Sequence, residues 1–444
     1  MKKMIWLAGM SMIVSALLLT GCWDQHELED FTYITTVGLD QGKNGKIQVT
    51  LQSASPQGAT SQGGGGKGEG PTASETVTYL LEGPLTAKFF GNTTVSRRYS
   101  FEHTNVLIVG EALVRTHDIL RFLSSALRDH SFRRDMLLIV TEGKAKEFIY
   151  RNQPLLEQTP YKFFEMIYPL WQTTGLWPNI RLHSFLRTLE GGQGLPITIL
   201  SSYQDPQKIK IRDKGSNKQP SSSSFNSSAL PVLADSNGNQ DLSKSDNYLY
   251  GDQFRLKGGN PVELMGTAVF GKKYMIGKLG TVDTQLLLMI QGESEEIYRN
   301  FANPLKPKSK YGVALTLFQS GSPDIKMQWN GNHLKSIQEK VELNAKIVAI
   351  QSGDNFVTNT KNRLKLEKFV NYILSKQANA LVKRFQTKYK GDPFHFEWKA
   401  RHHFLYTGDW KTYDWGKAFC QADVKVDVHV KILTAGKQLE NPRR

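Results

Sequence analysis

Residues 422–432 read Ala-Asp-Val-Lys-Val-Asp-Val-His-Val-Lys-Ile, and this stretch decides the fold class. Apolar residues occupy every second position from Ala422 to Ile432, with Asp, Lys or His between them. Alternation of period two predicts a strand with one buried and one solvated face, as in an antiparallel or edge strand. Ahead of it, the amphipathic segment Leu364–Tyr389 predicts a long helix, so this end of the chain favours an α+β domain.

Strand and helix patterns alternate in the first half of the chain. Phe31–Asp40 and Lys46–Ala54 flank Asn44-Gly45, which predicts a hairpin. Short apolar strands are predicted at Asn105–Val109 and Asp135–Thr141, with helical stripes between and after them. This arrangement predicts mixed and antiparallel sheets with packed helices, in several domains.

Chain length and local composition together predict the limits of the domains. The 444 residues suffice for two to four domains. Two segments lack any apolar period, a Gly-rich stretch and a Ser-rich one, and they mark loops or linkers. We therefore predict a signal peptide at 1–21, an N-terminal α+β domain at 22–200 with a Gly-rich loop at 55–74, a linker or Ser-rich insert at 201–250, a middle region at 251–310 and a C-terminal α+β domain at 311–436.

Charge and cysteine content narrow the function classes. The formal net charge is +15, which points to an anionic partner such as a membrane surface or nucleic acid, although solubility alone could also account for it. Only two cysteines are present, Cys22 and Cys420. That number excludes a disulfide-stapled scaffold and a zinc site built from cysteines.

The first 22 residues predict export and lipidation. Lys2 and Lys3 precede an apolar run that is too short to span a bilayer but fits a secretory signal. The run ends in Leu-Thr-Gly-Cys at 19–22, which resembles the bacterial lipobox. We expect cleavage between Gly21 and Cys22 and a diacylglycerol on Cys22. An exported, lipid-anchored chain makes anionic headgroups or a partner's acidic face better candidates than nucleic acid.

No catalytic motif stands out. His395, Glu397, His402 and His403 form the densest group of metal-ligating residue types, but their spacing does not place two imidazoles on one face. Neither G-x-S-x-G nor a phosphate-binding glycine loop is present. We therefore predict no catalytic residue, no metal and no cofactor other than the acyl lipid.

Four segments together resemble the Ger(x)C lipoproteins, the C subunits of nutrient germinant receptors in endospore-forming bacteria. The first is Cys-Trp-Asp-Gln-His-Glu-Leu at 22–28. The second combines Ser-Arg-Arg at 96–98, His103 and Val-Leu-Ile-Val-Gly-Glu at 106–111. The third is Gly-Thr-Ala-Val-Phe at 266–270, and the fourth joins Asp-Pro-Phe at 392–394 to the closing strand.

The resemblance implies a multidomain α+β fold with three domains and no enzymatic activity. It also implies an anchor on the outer face of the plasma or spore inner membrane, with the A and B membrane subunits as partners. Arg97, Arg98, His103 and Glu111 match the family pattern and are candidates for partner contact. The alternatives are a solute-binding lipoprotein of a transporter, which would have two similar α/β lobes, and a cell-wall hydrolase, which would need a metal or a carboxylate pair in a cleft.

Overall fold

The structure is a computed structural model. It describes residues 30–54, 74–204 and 259–435, apart from positions 84, 85, 94, 127, 130, 158, 308 and 310, together with residues 6, 9 and 10. The predicted cleavage and lipidation residues Gly21 and Cys22 lie outside the described residues. So do the Ser-rich insert from 205 onward and all of the Gly-rich loop except Ser74.

Nine strands form the first sheet. They are β1 (Phe31–Gln41), β2 (Ile47–Ala54), β3 (Ser74–Leu81), β4 (Arg98–Ser100), β5 (Val106–Gly110), β6 (Leu137–Thr141), β7 (Ile197–Tyr203), β8 (Val262–Phe270) and β9 (Met275–Leu279). Their order across the sheet is β3-β2-β1-β5-β6-β7-β8-β9, and β4 pairs with β1 beside this path.

The centre of this sheet is parallel and its flanks are antiparallel. β1, β5, β6 and β7 run in one direction, whereas β2, β3, β8 and β9 join through antiparallel ladders. Every residue of β5 and β6 is buried. Central parallel strands are covered on both faces, which explains why these two segments are continuous apolar runs rather than alternating ones.

Helices cover both faces of the first sheet. They are α1 (Thr86–Phe90), α2 (Glu111–Thr116), α3 (Ile119–Ala126), α4 (Ala145–Arg151), α5 (Pro160–Ile167), α6 (Trp171–Thr174) and α7 (Leu182–Gly191), with 3₁₀ turns at Gly91–Thr93 and Tyr168–Leu170. The apolar side chains around α4 and α5 form one core, and those around α2, α3 and α7 belong to another that continues into the second sheet.

Five strands form the second sheet. They are β10 (Glu296–Ala302), β11 (Gly312–Gln319), β12 (Asp324–Asn330), β13 (His333–Ile350) and β14 (Asp423–Ala435). Both β11 and β12 pair with one edge of the long strand β13, and β10 lies beyond β11. The helices of this part are α8 (Thr281–Gln291), α9 (Thr360–Arg384), α10 (Phe396–Ala400), α11 (Thr407–Thr412) and α12 (Trp415–Gln421), with a π turn at Phe385–Tyr389 and a 3₁₀ turn at Arg401–His403.

The closing strand β14 is an edge strand, and it runs parallel to β13. Its register extends from Ser336↔Asp423 to Ile347↔Ala435. The sequence pattern allowed an antiparallel or an edge position, and the antiparallel reading was wrong. The reason is the connection: α9 lies between β13 and β14, and a crossover helix returns the chain in the same direction as the first strand.

Helix α9 also covers the outer edge of β14 with a polar stripe. Four side chains spaced four residues apart accept hydrogen bonds from alternate amides of the strand, at distances of 2.7–3.0 Å. The pairs are Asn379 with Val426, Ser375 with Val428, Asn371 with Val430, and Glu367 with Ile432. The helical repeat of four residues rises about 6 Å, close to the advance of two strand residues, so the two periods match.

The predicted fold class is confirmed: the chain is α+β, with mixed and antiparallel sheets and packed helices. Strands of the predicted middle region, 251–310, contribute to both sheets, because β8 and β9 join the first sheet and β10 joins the second. The number of domains remains a prediction. Among the described residues, no helix combines the length and the apolar character needed to cross a bilayer.

Candidate functional site

The basic residues of the family pattern gather at the start of β1. Arg98 lies opposite Phe31 in the parallel pairing of β4 with β1. Arg97 and Arg98 are both exposed, and the exposed ring of His103 packs edge-on against Tyr33 with centroids 4.8 Å apart. The structure therefore brings three of the predicted contact residues to one end of the first sheet, which we call the β1 end.

The fourth predicted residue lies elsewhere. Glu111 follows the last residue of β5 and accepts a hydrogen bond from Arg115 at 2.7 Å. Its second oxygen is 3.3 Å from Lys278 Nζ, and Lys278 also contacts Glu142 at 2.6 Å. Burial alone would lower the pKa of Lys278, but its hydrogen bond and attraction to Glu142, together with the charge of Glu111, outweigh burial and raise it.

Glu111 and the arginines therefore do not form one site. The register aligns Leu39 with Val109, so Glu111 lies beside the carboxyl end of β1, whereas Arg98 lies beside its first residue. Ten residue steps of a strand separate those ends by about 33 Å. Lys278 of β9 bridges Glu111, at the start of α2, and Glu142, the residue after β6. A partner contact of Glu111 stays a prediction.

The Gly-Thr-Ala-Val-Phe segment lies in β8, where the backbone conformation requires glycine at position 266. Gly266 has φ +100°, and a Cβ there would lie 2.6 Å from the carbonyl oxygen of Leu279. Its amide donates to the carbonyl of Leu176 at 2.7 Å. Gly266 thus allows the backbone of β8 to contact both β9 and the α6–α7 connection closely.

The Asp-Pro-Phe segment connects the two halves of the molecule. Asp392 is buried, and its carboxylate accepts hydrogen bonds from the amides of Phe394 and Glu397 and from the indole of Trp415, at 2.7–3.1 Å. Its backbone carbonyl accepts from the amide of Leu195, just before β7, at 2.7 Å. Burial raises the pKa of Asp392 well above its usual range, and the neighbouring Glu397 adds to the shift.

Two further carboxyls are buried near Asp392. Glu339, in β13, is 2% exposed, and neither of its oxygens has a hydrogen-bond partner among the described residues. Burial, with a contribution from the charge of Asp392, raises the pKa of Glu339 to about 9. Burial also raises the pKa of Glu397. Burial makes the charged forms of all three carboxyls less favourable. The sequence analysis named Asp392 and Glu397 for other reasons, and it missed their grouping because Glu339 comes from β13, more than 50 residues earlier in the chain.

The histidines considered as metal ligands diverge in the structure. His395 stacks on Trp398, whereas His403 stacks on Trp329 and its Nε2 lies 3.0 Å from the carbonyl of Gly331. Within the described part of the chain, no group of three or more His, Cys, Asp or Glu side chains is arranged to hold a metal ion.

Comparison with known families matches most of the chain. Residues 24–201 match the family described as "Spore germination protein N-terminal domain", and residues 265–436 match "Spore germination B3/ GerAC like, C-terminal". The two matches cover the first sheet up to β7 and then the chain from within β8 through β14.

Similar proteins come from Bacillus subtilis (strain 168). Spore germination protein KC is 30% identical over 158 residues, which are 35% of this chain and 38% of that protein. Spore germination protein B3 is 25% identical over 149 residues, 33% of this chain and again 38% of the relative. Spore germination protein YndF is 24% identical over 464 aligned positions, covering 96% of both chains.

A solved structure, the crystal structure of the GerBC protein, aligns with 89% of this chain and 96% of its own. The TM-score is 0.46 and the sequence identity is 14%.

Proposed function

The chain belongs to the Ger(x)C family of spore germination proteins, and from this premise we propose that it is a lipid-anchored, non-catalytic subunit of a nutrient germinant receptor. In this role it assembles or stabilises the receptor and couples its signal through contacts with the A and B membrane subunits. The anchor is a diacylglycerol on Cys22, on the outer face of the plasma or spore inner membrane.

The observation that carries the proposal is the position of the β1 end. Only eight residues separate Cys22 from Phe31, where β1 begins. Nine residue steps span at most about 30 Å, so a lipid on Cys22 would hold this end of the sheet close to the bilayer. Arg97 and Arg98 are exposed there, and basic side chains near a membrane are attracted to anionic headgroups.

The arrangement of charged groups supports a role without catalysis. The buried carboxylate of Asp392 accepts from backbone amides and from the indole of Trp415, and the ion pair of Glu111 with Lys278 joins secondary structure elements. Attachment to a surface raises the effective concentration of neighbouring subunits, so modest contacts suffice for assembly.

The solute-binding alternative expects two similar α/β lobes. The two described sheets differ in strand number, order and direction. We therefore do not propose that function.

The test uses the two cysteines of the chain as a matched pair. In spores, Cys22→Ala should move the protein from the membrane to the soluble fraction and abolish or strongly slow nutrient-triggered germination. Cys420→Ala is the control: its thiol lies in α12, about 400 residues along the chain from the anchor, and that variant should remain in the membrane fraction.

Protein levels are measured by immunoblot in both strains. Normal membrane attachment and germination of the Cys22→Ala strain would refute the anchor. Release from the membrane with normal germination would refute the need for tethering.

A further inference from the structure

We infer that a cleft between the two halves of the molecule binds a small organic anion, either a carboxylate or a phosphate monoester. The cleft has a volume of about 520 Å³. One wall comes from the loop before β6 and the first turns of α7, and the other comes from Glu293, His395 and Trp398. Cavities of this size at the junction of domains are common places for small ligands.

The wall from the first half is basic. Arg134, Arg181 and Arg187 are all exposed into or beside the cleft, and none of them lies within ion-pair distance of an acidic side chain in the described part of the molecule. Asp135 also lines the cleft, but both of its carboxylate oxygens are engaged by Arg133 at 2.9 and 2.6 Å. The three arginines thus form no ion pair with a described residue, although the charge of Arg181 acts on Asp135 and that of Arg187 on Glu397.

Two of these arginines are held in place by uncharged groups. The guanidinium of Arg181 donates to the carbonyl of Asp135 at 2.6 Å and lies 5.0 Å from the ring centroid of Tyr168. The guanidinium of Arg187 lies 5.9 Å from the centroid of Trp398. Stacking fixes the plane of a guanidinium and leaves N–H groups free to bind a carboxylate or phosphate through two parallel hydrogen bonds.

The opposite wall combines one carboxyl, Glu293, with the stacked rings of His395 and Trp398. Burial raises the pKa of Glu293 and lowers the pKa of His395, so burial makes the charged form of each less favourable. The His395 ring stacks on Trp398 with centroids 4.2 Å apart and planes 7° apart. His395 has φ +65°, an uncommon conformation for a residue other than glycine, and it turns the chain into α10 at this point. Three arginines therefore face a wall with one carboxyl and two stacked rings, and this excess of basic groups favours a small anion.

The experiment measures binding by isothermal titration calorimetry on the full chain purified in detergent, so that it does not depend on membrane attachment. The probes are succinate, glucose 6-phosphate and inorganic phosphate, at near-physiological salt. We expect at least one of the two organic probes to bind with a Kd below about 1 mM. Succinate and glucose 6-phosphate distinguish a carboxylate site from a phosphate-ester site.

Variants locate the site. Arg181→Gln and Arg187→Gln should each weaken binding about tenfold or more, since each removes one charge-assisted contact. Arg181→Lys keeps the charge but loses the planar fork, and it should weaken binding by a smaller factor. Arg363→Gln is the control with the same change in charge, because Arg363 lies in α9 and does not line the cleft. Circular dichroism checks that each variant is folded.

Glu293→Gln separates an anion from a zwitterion. Removing this carboxyl should leave anion binding unchanged or make it tighter. Four results would overturn the inference: no binding of either organic probe below about 10 mM, equal weakening by Arg363→Gln, inorganic phosphate binding as tightly as both organic probes, or a tenfold loss in Glu293→Gln.

Discussion

The polar stripe of α9 allows us to predict how much stability the chain loses when Asn379 is replaced by alanine. Its side-chain amide donates to the carbonyls of Val426 and Ser375, both at 2.7 Å, and its oxygen accepts from the amide of Val426 at 3.0 Å. Val426 has 0% of its surface exposed. Asn379→Ala would therefore leave the N–H and the C=O of Val426 without partners and without ready access to water.

The magnitude follows from those two backbone groups. An unsatisfied buried donor or acceptor costs about 1–3 kcal/mol, so two of them cost about 2–6 kcal/mol. Alanine recovers up to about 0.7 kcal/mol of helix propensity, and partial entry of water lowers the loss further. We expect the free energy of unfolding to fall by about 2–4 kcal/mol.

Asn371 provides the matched control on the same helix. Its oxygen accepts one hydrogen bond, from the amide of Val430 at 2.7 Å. Asn371→Ala has the same change in composition and propensity but removes one partner instead of two. We expect it to cost about half as much, about 1–2 kcal/mol.

Urea denaturation followed by tryptophan fluorescence measures both losses, because Trp410 and Trp415 are buried in the same half of the molecule. The midpoint should shift while the slope of free energy against urea stays constant. Hydrogen exchange at the amide of Val426 should become faster in Asn379→Ala. A loss below about 0.5 kcal/mol, or an equal loss in both variants, would refute the claim that these side chains satisfy the edge of β14.

Two further predictions concern buried positions. Gly266→Ala should cost about 2–4 kcal/mol in thermal unfolding because it adds backbone strain and a contact with the Leu279 carbonyl. Gly331→Ala, also at positive φ (+58°) but with open space around the new Cβ, should cost about 1–2 kcal/mol, and equal costs would refute the clash. Glu339 has a pKa of about 9 when folded and about 4.5 when unfolded, so the folded state holds the proton more tightly and stability falls as pH rises between these values. Glu339→Gln should reduce the dependence of stability on pH by up to about 1.4 kcal/mol per pH unit, and it should be more stable than the parent at pH 8.5. An unchanged pH dependence would refute the raised pKa of Glu339.

The sequence patterns predicted where the strands lie better than which strands pair and in which direction. The alternation at 422–432 identified β14 and its buried face, but both parallel and antiparallel edge strands show the same alternation. The direction depends on the connection, and the predicted helix between β13 and β14 already contained that information. The apolar runs at β5 and β6 likewise predicted strands. Their parallel pairing with β1 depends on contacts between segments that are distant in the sequence, so local patterns could not predict it.

The candidate sites show the same limit. Arg98 and Glu111 belong to one short sequence motif, yet β5 lies between them and carries the chain across the sheet, so they lie at opposite ends. The cleft escapes sequence reasoning altogether, because Arg181 and His395 are more than 200 residues apart. The sequence analysis considered His395 only for metal-ligand spacing, whereas its place in the cleft depends on Arg181 and Arg187 from another part of the chain.

The sealed edge of β14 has a consequence for a chain held on a membrane. An open strand edge offers unpaired N–H and C=O groups to any other edge, and two-dimensional attachment raises the concentration of identical copies. Asn379, Ser375, Asn371 and Glu367 of α9 occupy four edge amides of β14, from Val426 to Ile432, which disfavours pairing of copies along that stretch. If Cys22 carries the proposed lipid, this seal favours contacts through side-chain surfaces such as the β1 end, and an assembly of unlike subunits requires contacts of that kind.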